Sequence, residues 1–427
     1  SASSSGAPIH SSTLPRVTTV RLAIFALTYV MIAAQQLPGL RINRPAASLL
    51  GAVAMVVLGG LPAADAAAAI DLDVIVFLLG VLLLTAYLEL GGFCDLAAAW
   101  IVARLRTPRA LLAGIIAASG LLSALFLNDT ICLVFVPLVL SALDALQLRP
   151  LPYLLGIAFA SNVGSAMTIT GNPQNMLIGV SSGIGFGGFA ASLALPALGG
   201  LAIVYGVLAV AFRRDLRVLP APRRSPNGAR PLDRVLVIKA LVLFAGALAA
   251  WLAGLSLPIV AISAGSLMIA IGRRDATDVF ARVEWTLLLF FASLFVLMRG
   301  VESLPLFVDL TTRAGGALRG TPWHDAAVVS AAMTALSNLV SNVPAVILWR
   351  PVVPHLPNAR FVWLVMAMSS TFAGNLTLLG SMATLIVAER AAARGVPLRF
   401  VDVLRVGVPV TVLTLVWGVA ALVLFVR

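Results

Sequence analysis

Apolar residues occur along the chain in long blocks separated by short polar connections. A run of about 20 apolar residues is long enough to cross the hydrocarbon core of a bilayer. Ten such blocks are found, five in each half of the chain: 20–36, 46–60, 74–92, 152–182, 190–211, 236–252, 258–272, 284–300, 361–389 and 404–426. The pattern predicts an all-α polytopic membrane protein.

Two further apolar stretches, 109–147 and 325–357, are interrupted at their centres by polar residues. The interruptions are Asn128-Asp129-Thr130 and Ser341-Asn342-Val343-Pro344. Non-helical backbone at membrane depth is tolerated only where it is buried in protein or lines a cavity. We therefore predict two re-entrant helical hairpins, whose tips approach the midplane from opposite faces. Each half then holds five transmembrane helices plus one hairpin.

The two halves resemble each other at a nearly fixed offset. Asn128 lies nine residues before Pro137, and Asn342 lies nine before Pro351, at an offset of 214. The pattern Ser161-x6-Thr168-x2-Gly171 recurs as Ser370-x6-Thr377-x2-Gly380, at an offset of 209. Because each half has an odd number of crossings, the second copy must be inverted, as in many secondary transporters. The predicted organisation is a disordered tail (1–19), a first inverted repeat (20–211), a cytoplasmic Arg/Pro-rich linker (212–235) and a second inverted repeat (236–427).

Composition and charge agree with the membrane class. The chain is 60% hydrophobic and 11% charged, whereas soluble domains carry about 25% charged residues. The net charge of +12 does not indicate nucleic-acid binding, because the arginines lie in short connections and form no continuous basic face. Most basic residues fall in connections on the same side of the membrane as the central loop. Because basic residues are enriched in cytoplasmic loops, this loop is predicted to be cytoplasmic, and both termini are predicted to lie on the outer side of the inner membrane.

The helix interruptions are predicted to meet near the midplane and to form the transport site. The first break, 168–175, contains Gly and Pro; the second lacks proline, so a weaker interruption is expected there. Unwound backbone exposes carbonyls to a cation, and the helix start beyond it offers amides to an anion. Asn and Thr side chains add donors and acceptors. The predicted substrate- and ion-binding residues are Asn128, Asp129, Thr130, Thr168, Thr170, Gly171, Asn172, Pro173, Asn175, Ser341, Asn342, Val343, Asn375, Thr377, Gly380 and Ser381.

Other polar residues have simpler interpretations. For Ser161, Asn162 and Asn338 taken singly, hydrogen bonding between helices is the favoured role. Glu89 and Glu302 lie near predicted span ends, where solvation at the interface is expected. Asp129 lies inside an apolar hairpin, and an ionisable group at that depth indicates a proton or ion site. The alternative for Asp129 is an N-cap of the second hairpin arm.

The same motifs resemble a known group of transporters. The segments RPAASLLGAVAMVVLGG (44–60), LFLNDTICLVFVPL (125–138), SNVGSAMTITGNPQNMLIG (161–179) and SNLVSNVPAVILWRP (337–351) are similar to those of the ion-transporter superfamily. That superfamily includes citrate-transporter-like proteins, arsenite permeases, divalent anion/sodium symporters and sodium/proton antiporters. The resemblance implies a scaffold and a mobile transport unit with two re-entrant hairpins. Val343 stands where dicarboxylate symporters carry threonine, and the GNPQN break is most similar to that of uncharacterised anion transporters.

The expected function is secondary transport of a small anion or oxyanion by alternating access, coupled to H⁺ or Na⁺. Arsenite/antimonite efflux and Na⁺/H⁺ antiport remain alternatives. No enzyme is expected, since the chain has no paired catalytic acids, HExxH or Ser/His constellation. No cofactor is predicted besides the coupling ion, and no metal besides Na⁺ at the site residues. The expected partners are the anion and the lipid bilayer, with a homodimer left open.

Overall fold

The computed structural model describes residues 13–34, 42–93, 96, 104–105, 107–217, 232–356 and 358–426. All regular structure in these ranges is helical. The first half contains α1 (Thr13–Ala34), α2 (Arg44–Val57), α3 (Ala63–Ala68), α4 (Leu72–Leu90), α5 (Pro108–Leu125), α6 (Asn128–Ala145), α7 (Leu151–Ser165), α8 (Pro173–Ser182) and α9 (Phe186–Ala211). The second contains α10 (Arg234–Leu252), α11 (Leu257–Ile271), α12 (Ala276–Phe280), α13 (Trp285–Arg299), α14 (Pro305–Gly316), α15 (Pro322–Val340), α16 (Asn342–Trp349), α17 (Ala359–Ala373), α18 (Met382–Ala392) and α19 (Phe400–Phe425).

The all-α fold is confirmed, and the repeat is visible in the helix contacts. α5 packs on α7 as α15 packs on α17. α6 of the first half packs on α18 of the second, and α16 of the second packs on α8 of the first. α9 and α19, which correspond to each other and each have 26 residues, pack together. Such an exchange of contacts is what a pseudo-two-fold relation between inverted repeats requires.

The compact units of the chain do not coincide with the repeats. One unit comprises residues 1–71 and 285–313, and in it α2 packs on α13 and α1 packs on α2. The larger unit comprises residues 72–284 and 314–427. Each unit therefore draws on both halves of the sequence. All the predicted site residues belong to the larger unit.

The predicted N-terminal tail is shorter than expected, and the predicted central linker is described only at its two ends. Helix α1 begins at Thr13, so the predicted tail (1–19) is wrong for residues 13–19; residues 1–12 lie outside the described part. Helix α9 ends at Ala211 and α10 begins at Arg234. Residues 218–231 of the predicted linker lie outside the described part as well, and the linker stays a prediction.

Span lengths separate the helices into two classes. Within the described ranges, α4, α5, α6, α9, α10 and α19 are long and apolar enough to cross a membrane by length and composition. The crossings predicted at 152–182 and 361–389 are each built from two shorter helices with a break between them.

The two hairpins differ in the length of their arms. In the first, α5 and α6 have 18 residues each, about 27 Å at 1.5 Å per residue. Their connection is Phe126 and Leu127, which are 3% and 2% exposed, so it is not a solvated loop. In the second, α16 has only eight residues, about 12 Å, which is too short to cross a bilayer. Both tips are buried in protein, as a re-entrant backbone requires.

Helix α7 is the centre of the larger unit. From Pro152 to Ser165 every one of its residues is buried, which is typical of a helix that is apolar on all sides. Gly164 lies against the backbone of Gly120 in α5, and a side chain at position 164 would overlap it. The close approach of α5 and α7 therefore depends on small residues, a common device between membrane helices.

Candidate functional site

The first break lies between α7 and α8. Helix α7 ends at Ser165, a single 3-10 turn covers Ile169–Gly171, and α8 begins at Pro173. Asn172 caps α8: its Oδ1 accepts a hydrogen bond from the Asn175 amide at 2.8 Å. Pro173 occupies the first helical position, where proline is favoured because no amide is needed there. The unwound segment is therefore 166–172, and Pro173 and Asn175 belong to the helix that follows.

Asn175 closes the first break from the other side. Its Nδ2 lies 2.9 Å from the Thr168 carbonyl oxygen, 3.2 Å from that of Ser165 and 3.3 Å from that of Ala166. Of these three carbonyl groups, that of Thr168 lies within the predicted break (168–175), whose carbonyls are expected to face a cation. Thr168 donates to the Ala124 carbonyl of α5, and its Oγ1 is 3.3 Å from that of Thr170. Gly171 lies against Ser165, where a Cβ would overlap the Ser165 backbone.

The second break, between Ala373 and Met382, is longer than the first, so the expectation of a weaker interruption is wrong. The reason is the cap of α18, where Ser381 Oγ accepts from the Thr384 amide at 3.1 Å. Within the break, Thr377 donates to Asn338 Oδ1 at 2.9 Å, and Asn338 Nδ2 donates to the Ala373 carbonyl at 2.9 Å. A side chain can thus end and restart a helix without proline.

The two breaks are equivalent residue by residue. The offset of 209 pairs Asn172 with Ser381 and Asn175 with Thr384. Each first member is the cap of a helix, and each second member supplies the amide that is capped. The repeat seen in the sequence thus extends to the hydrogen bonds that define the breaks.

Asn162 joins the two halves. Its Nδ2 lies 2.9 Å from Asn375 Oδ1 and 2.9 Å from Ser381 Oγ, both in the second break. Its Oδ1 accepts from Asn128 Nδ2 at 3.3 Å, so the first hairpin tip reaches the second break through this residue. Thr384 Oγ1 lies 3.4 Å from the same Nδ2. The structure places Asn162 at the meeting point of three elements, which is more than one bond between two helices.

Thr371 is the counterpart of Asn162 at the offset of 209. Its Oγ1 accepts from Asn172 Nδ2 and from Gln174 Nε2, both at 3.3 Å. The first break is therefore tied to α17 of the second repeat, as the second break is tied to α7 of the first. Asn162, Thr371, Gln174 and Thr384 are not among the residues predicted from the sequence for the site. The 209-residue offset is a signal for three of them, because it pairs Asn162 with Thr371 and pairs Asn175 with Thr384.

The first hairpin tip is buried and polar. Asn128, Asp129 and Thr130 form the first turn of α6 and are 5%, 8% and 8% exposed. Asn128 Oδ1 has no hydrogen-bond partner among the described residues, and neither has Asn175 Oδ1. Buried polar groups are nearly always paired, so each free oxygen is an acceptor available to a ligand.

The second tip has an unusual backbone. Ser341 has φ 82° and ψ 162°, a region that is nearly exclusive to glycine. Asn342 starts α16, and Val343 is buried beside it. The offset of 214 pairs Val343 with Asp129, so only one of the two tips carries a carboxylate. Helix α16 packs against α8 and α17, and in this way the second tip reaches the first break.

The charges at the tips and breaks are the partial positive charges of helix starts and the carboxylate of one acidic residue. Helices α6, α8, α16 and α18 all begin at a tip or a break, and each start carries a partial positive charge. Among the predicted site residues Asp129 is the only ionisable one. No group of three or more His, Cys, Asp or Glu side chains occurs together in the part of the chain that the structure describes.

Glu89 lies apart from this site, and the expectation that it is simply solvated is wrong. Its carboxylate is 2.5 Å from the Arg282 guanidinium, and its side chain is only 14% exposed. Glu302 is paired with Arg299 at 2.5 Å and is 32% exposed, which is closer to the expected interfacial position.

Comparison with known proteins agrees with this architecture. An uncharacterized transporter of Mycobacterium tuberculosis is 27% identical over 434 residues, covering 96% of this chain and 99% of the relative. The silicon efflux transporter LSI3 of Oryza sativa subsp. japonica is 29% identical over 475 residues, covering 96% and 98%. The crystal structure of the Alcanivorax borkumensis YdaH transporter matches with a TM-score of 0.57 at 17% identity, over 96% of this chain and 98% of that one.

The family itself follows from a profile match. Residues 28–373 match the family described as citrate transporter, which is more than half of the chain and includes both hairpin tips and the first break. The resemblance to the ion-transporter superfamily is thereby confirmed. The chain belongs to the citrate transporter family and is a multi-pass membrane transport protein.

Proposed function

We propose that this protein is a secondary transporter that moves a small anion or oxyanion across the inner membrane by alternating access. The observation that carries the proposal is the reciprocal tie between broken helices, through Asn162 in one direction and Thr371 in the other. Broken helices are costly in a membrane unless their free groups line a site. A site shared by both repeats is accessible to either side when the repeats exchange roles.

The chemistry of the site favours an anion with a cation as coupling ion. Four helix starts supply backbone amides and partial positive charge without a lysine or arginine among the site residues. The free oxygens of Asn128 and Asn175 accept rather than donate. Together with Asp129 they suit Na⁺, or a proton carried by the carboxylate. The proposed site comprises the tips 128–130 and 341–343 together with the breaks.

The relatives narrow the substrate class. The similarity to a silicon efflux transporter favours an oxyacid or its anion over a large organic anion. Arsenite or antimonite efflux is the second candidate within the same chemistry. Silicate, arsenite, phosphate, sulfate and citrate therefore form the first screening set, each tested with and without a sodium gradient.

The test uses purified protein in proteoliposomes. Asn128→Ala and Asn342→Ala should each reduce transport of the active substrate at least about tenfold, because each removes a polar group from a buried site. Thr85→Ala is the matched control: Thr85 is also buried but bonds only within its own helix, to the Val81 carbonyl. Thermal unfolding in detergent should show that all three variants are folded, with Asn128→Ala less stable because it leaves Asn162 Oδ1 without this donor. Transport at the wild-type rate by both Asn variants would overturn the proposed site.

A further inference from the structure

A cavity lies at one end of the larger unit, and no tip or break residue lines it. Its volume is about 870 Å³, within the range of ligand-binding sites. It is open on one side and lined by the starts of α15 and α17, one residue of α9 and the end of α19. This is the face that the charge distribution predicts to be outer. None of its lining residues belongs to the transport site proposed above.

Arg360 gives this cavity a positive charge. It is the second residue of α17, is exposed, and forms no ion pair or hydrogen bond with any described residue. Its guanidinium packs over Gly188 in the first turn of α9, 3.3 Å from where a Cβ would be. A cation at a helix start is electrostatically unfavourable, so binding of an anion beside Arg360 would be favoured.

The helix starts around Arg360 add partial positive charge to the cavity. Helices α15 and α17 begin at the cavity, and neither Thr321 nor Asn358 caps its helix through a side chain. The first-turn amides of α17, and those of α15 after Pro322, which has none, are therefore available to a ligand. The end of α19 contributes carbonyl groups, but no acidic side chain is among the described residues that line the cavity. Asp325, the acid nearest the start of α15, is occupied by the Arg319 amide at 2.8 Å.

Part of the cavity lining is apolar. Phe361, Leu364 and Val423 supply the apolar side chains of this lining. The flanking residues Leu424 and Phe425 are 62% and 70% exposed on a helix long enough to span the bilayer. Positive charge beside an apolar lining, at the level where the helices end, suits a molecule with a phosphate at one end and an acyl chain at the other.

We propose that this cavity binds an anionic phospholipid, with its phosphate at Arg360 and the uncapped starts of α15 and α17, and an acyl chain along Phe361 and Val423. The proposal is independent of the substrate. The group recognised is a phosphate ester. A lipid is favoured over free phosphate because only a lipid has an acyl chain that can contact the apolar part of the lining.

Native mass spectrometry of the intact protein tests this assignment. The protein is exchanged into detergent with equal amounts of phosphatidylglycerol and phosphatidylcholine, and the retained lipids are counted. Wild-type protein should retain phosphatidylglycerol preferentially. Arg360→Gln should lower that retention about tenfold, as expected for loss of one charge-assisted contact, and Arg360→Lys should lower it less.

Arg319→Gln is the matched control, because Arg319 lies just before α15 on the same face, is exposed, and does not line the cavity. It should retain lipid as the wild type does. Equal retention of both lipids by wild-type protein overturns the proposal without any variant. So does undiminished retention by Arg360→Gln, an equal loss in Arg319→Gln, or displacement of the lipid by millimolar inorganic phosphate, which would indicate a free-anion site.

Discussion

Asn162 shows how one side chain can connect a hairpin tip to a break in the other repeat. It is fully buried and bonds to Asn128, Asn375 and Ser381. A buried asparagine in α7 could equally hold two helices together. The identity of its partners, which include three members of the proposed site, is what distinguishes it.

Replacing Asn162 tests this connection. Asn162→Ala should abolish transport and lower the thermal unfolding midpoint, because each buried group left unpaired costs about 1–3 kcal/mol. Ser330→Ala is the control, since it removes a buried bond of 2.7 Å to Ser369, away from the breaks. It should lower stability but keep transport. If the two variants transport equally well, Asn162 has a packing role alone.

Ser341 stores backbone strain at the second tip. Its φ of 82° with ψ of 162° is accessible to glycine at no cost, whereas other residues pay about 1–3 kcal/mol there. Ser341→Gly should therefore raise the thermal unfolding midpoint, measured by differential scanning fluorimetry, while transport falls through loss of the hydroxyl at the tip. Ser381→Gly should instead lower the midpoint, because Ser381 has φ −142° and caps α18. A lower midpoint in Ser341→Gly would contradict the strain.

At the scale of the helices, the caps decide where each element starts. Asn172 and Ser381 start α8 and α18 inside the protein, and Asp233 starts α10 near the surface. The sequence located the Gly/Pro break by its residues but treated Pro173 as part of the break. Proline is also a helix starter, and the preceding asparagine decides which role it takes.

The cap at Asp233 gives a pH-dependent prediction. Its hydrogen bond from the Leu236 amide, followed by its contact with Arg274, lowers the pKa of Asp233 below its ordinary value near 3.8. A lowered pKa means that the stabilisation is present above that ordinary value and is lost as the pH falls through the folded-state pKa. At pH 7, Asp233→Ala should destabilise the protein by about 1 kcal/mol, and the difference should shrink below pH 4.

Thermal unfolding in detergent at pH 7 and pH 3 measures this difference. Asp402→Asn is the control, because Asp402 lies in the first turn of α19 but the N-cap there is Arg399. It removes an acid near a helix start but no side-chain cap, so at pH 7 it should lower the midpoint by less than Asp233→Ala does. A gap between Asp233→Ala and the wild type that is equally large at pH 3 would show that the charge of the cap contributes nothing.

At the scale of the whole molecule, the two repeats differ in one ionisable residue, and this difference bears on which ion is coupled to transport. Asp129 in the first tip corresponds to Val343 in the second, so a single carboxylate serves both halves. If protons drive transport, Asp129→Asn mimics the protonated state and should remove both the pH dependence and the ability to concentrate substrate. If sodium drives transport, the same change should weaken activation by sodium and alter the pH response little.

Substrate uptake in proteoliposomes under separate pH and sodium gradients distinguishes these cases. Asp325→Asn is the matched control, because Asp325 is a buried carboxylate at the other end of the corresponding hairpin and accepts from the Arg319 amide. It should affect stability and leave both responses intact. Unaltered pH and sodium responses in Asp129→Asn would assign Asp129 to a purely structural role at the start of α6.

The sequence by itself determined the membrane class, the helical fold, the repeat and the positions of the tips and breaks. These follow from local physics. The bilayer demands apolar runs of a given length, and it makes Asn, Asp, Gly and Pro inside such runs conspicuous because each is costly there. The offsets of 214 and 209 relate Asn128 to Asn342 and Gly171 to Gly380 from the sequence alone.

Only the tertiary structure decided which polar residues meet. Asn162 and Ser381 are 219 positions apart, and nothing local indicates that they are bonded. The length of the second break depended on Ser381 as a cap, and the partner of Glu89 was Arg282, 193 positions away. The cavity at Arg360 likewise draws on four helices. Pairing at such separations is set by how helices pack, and packing depends on the shapes of whole surfaces rather than on the composition of any one segment.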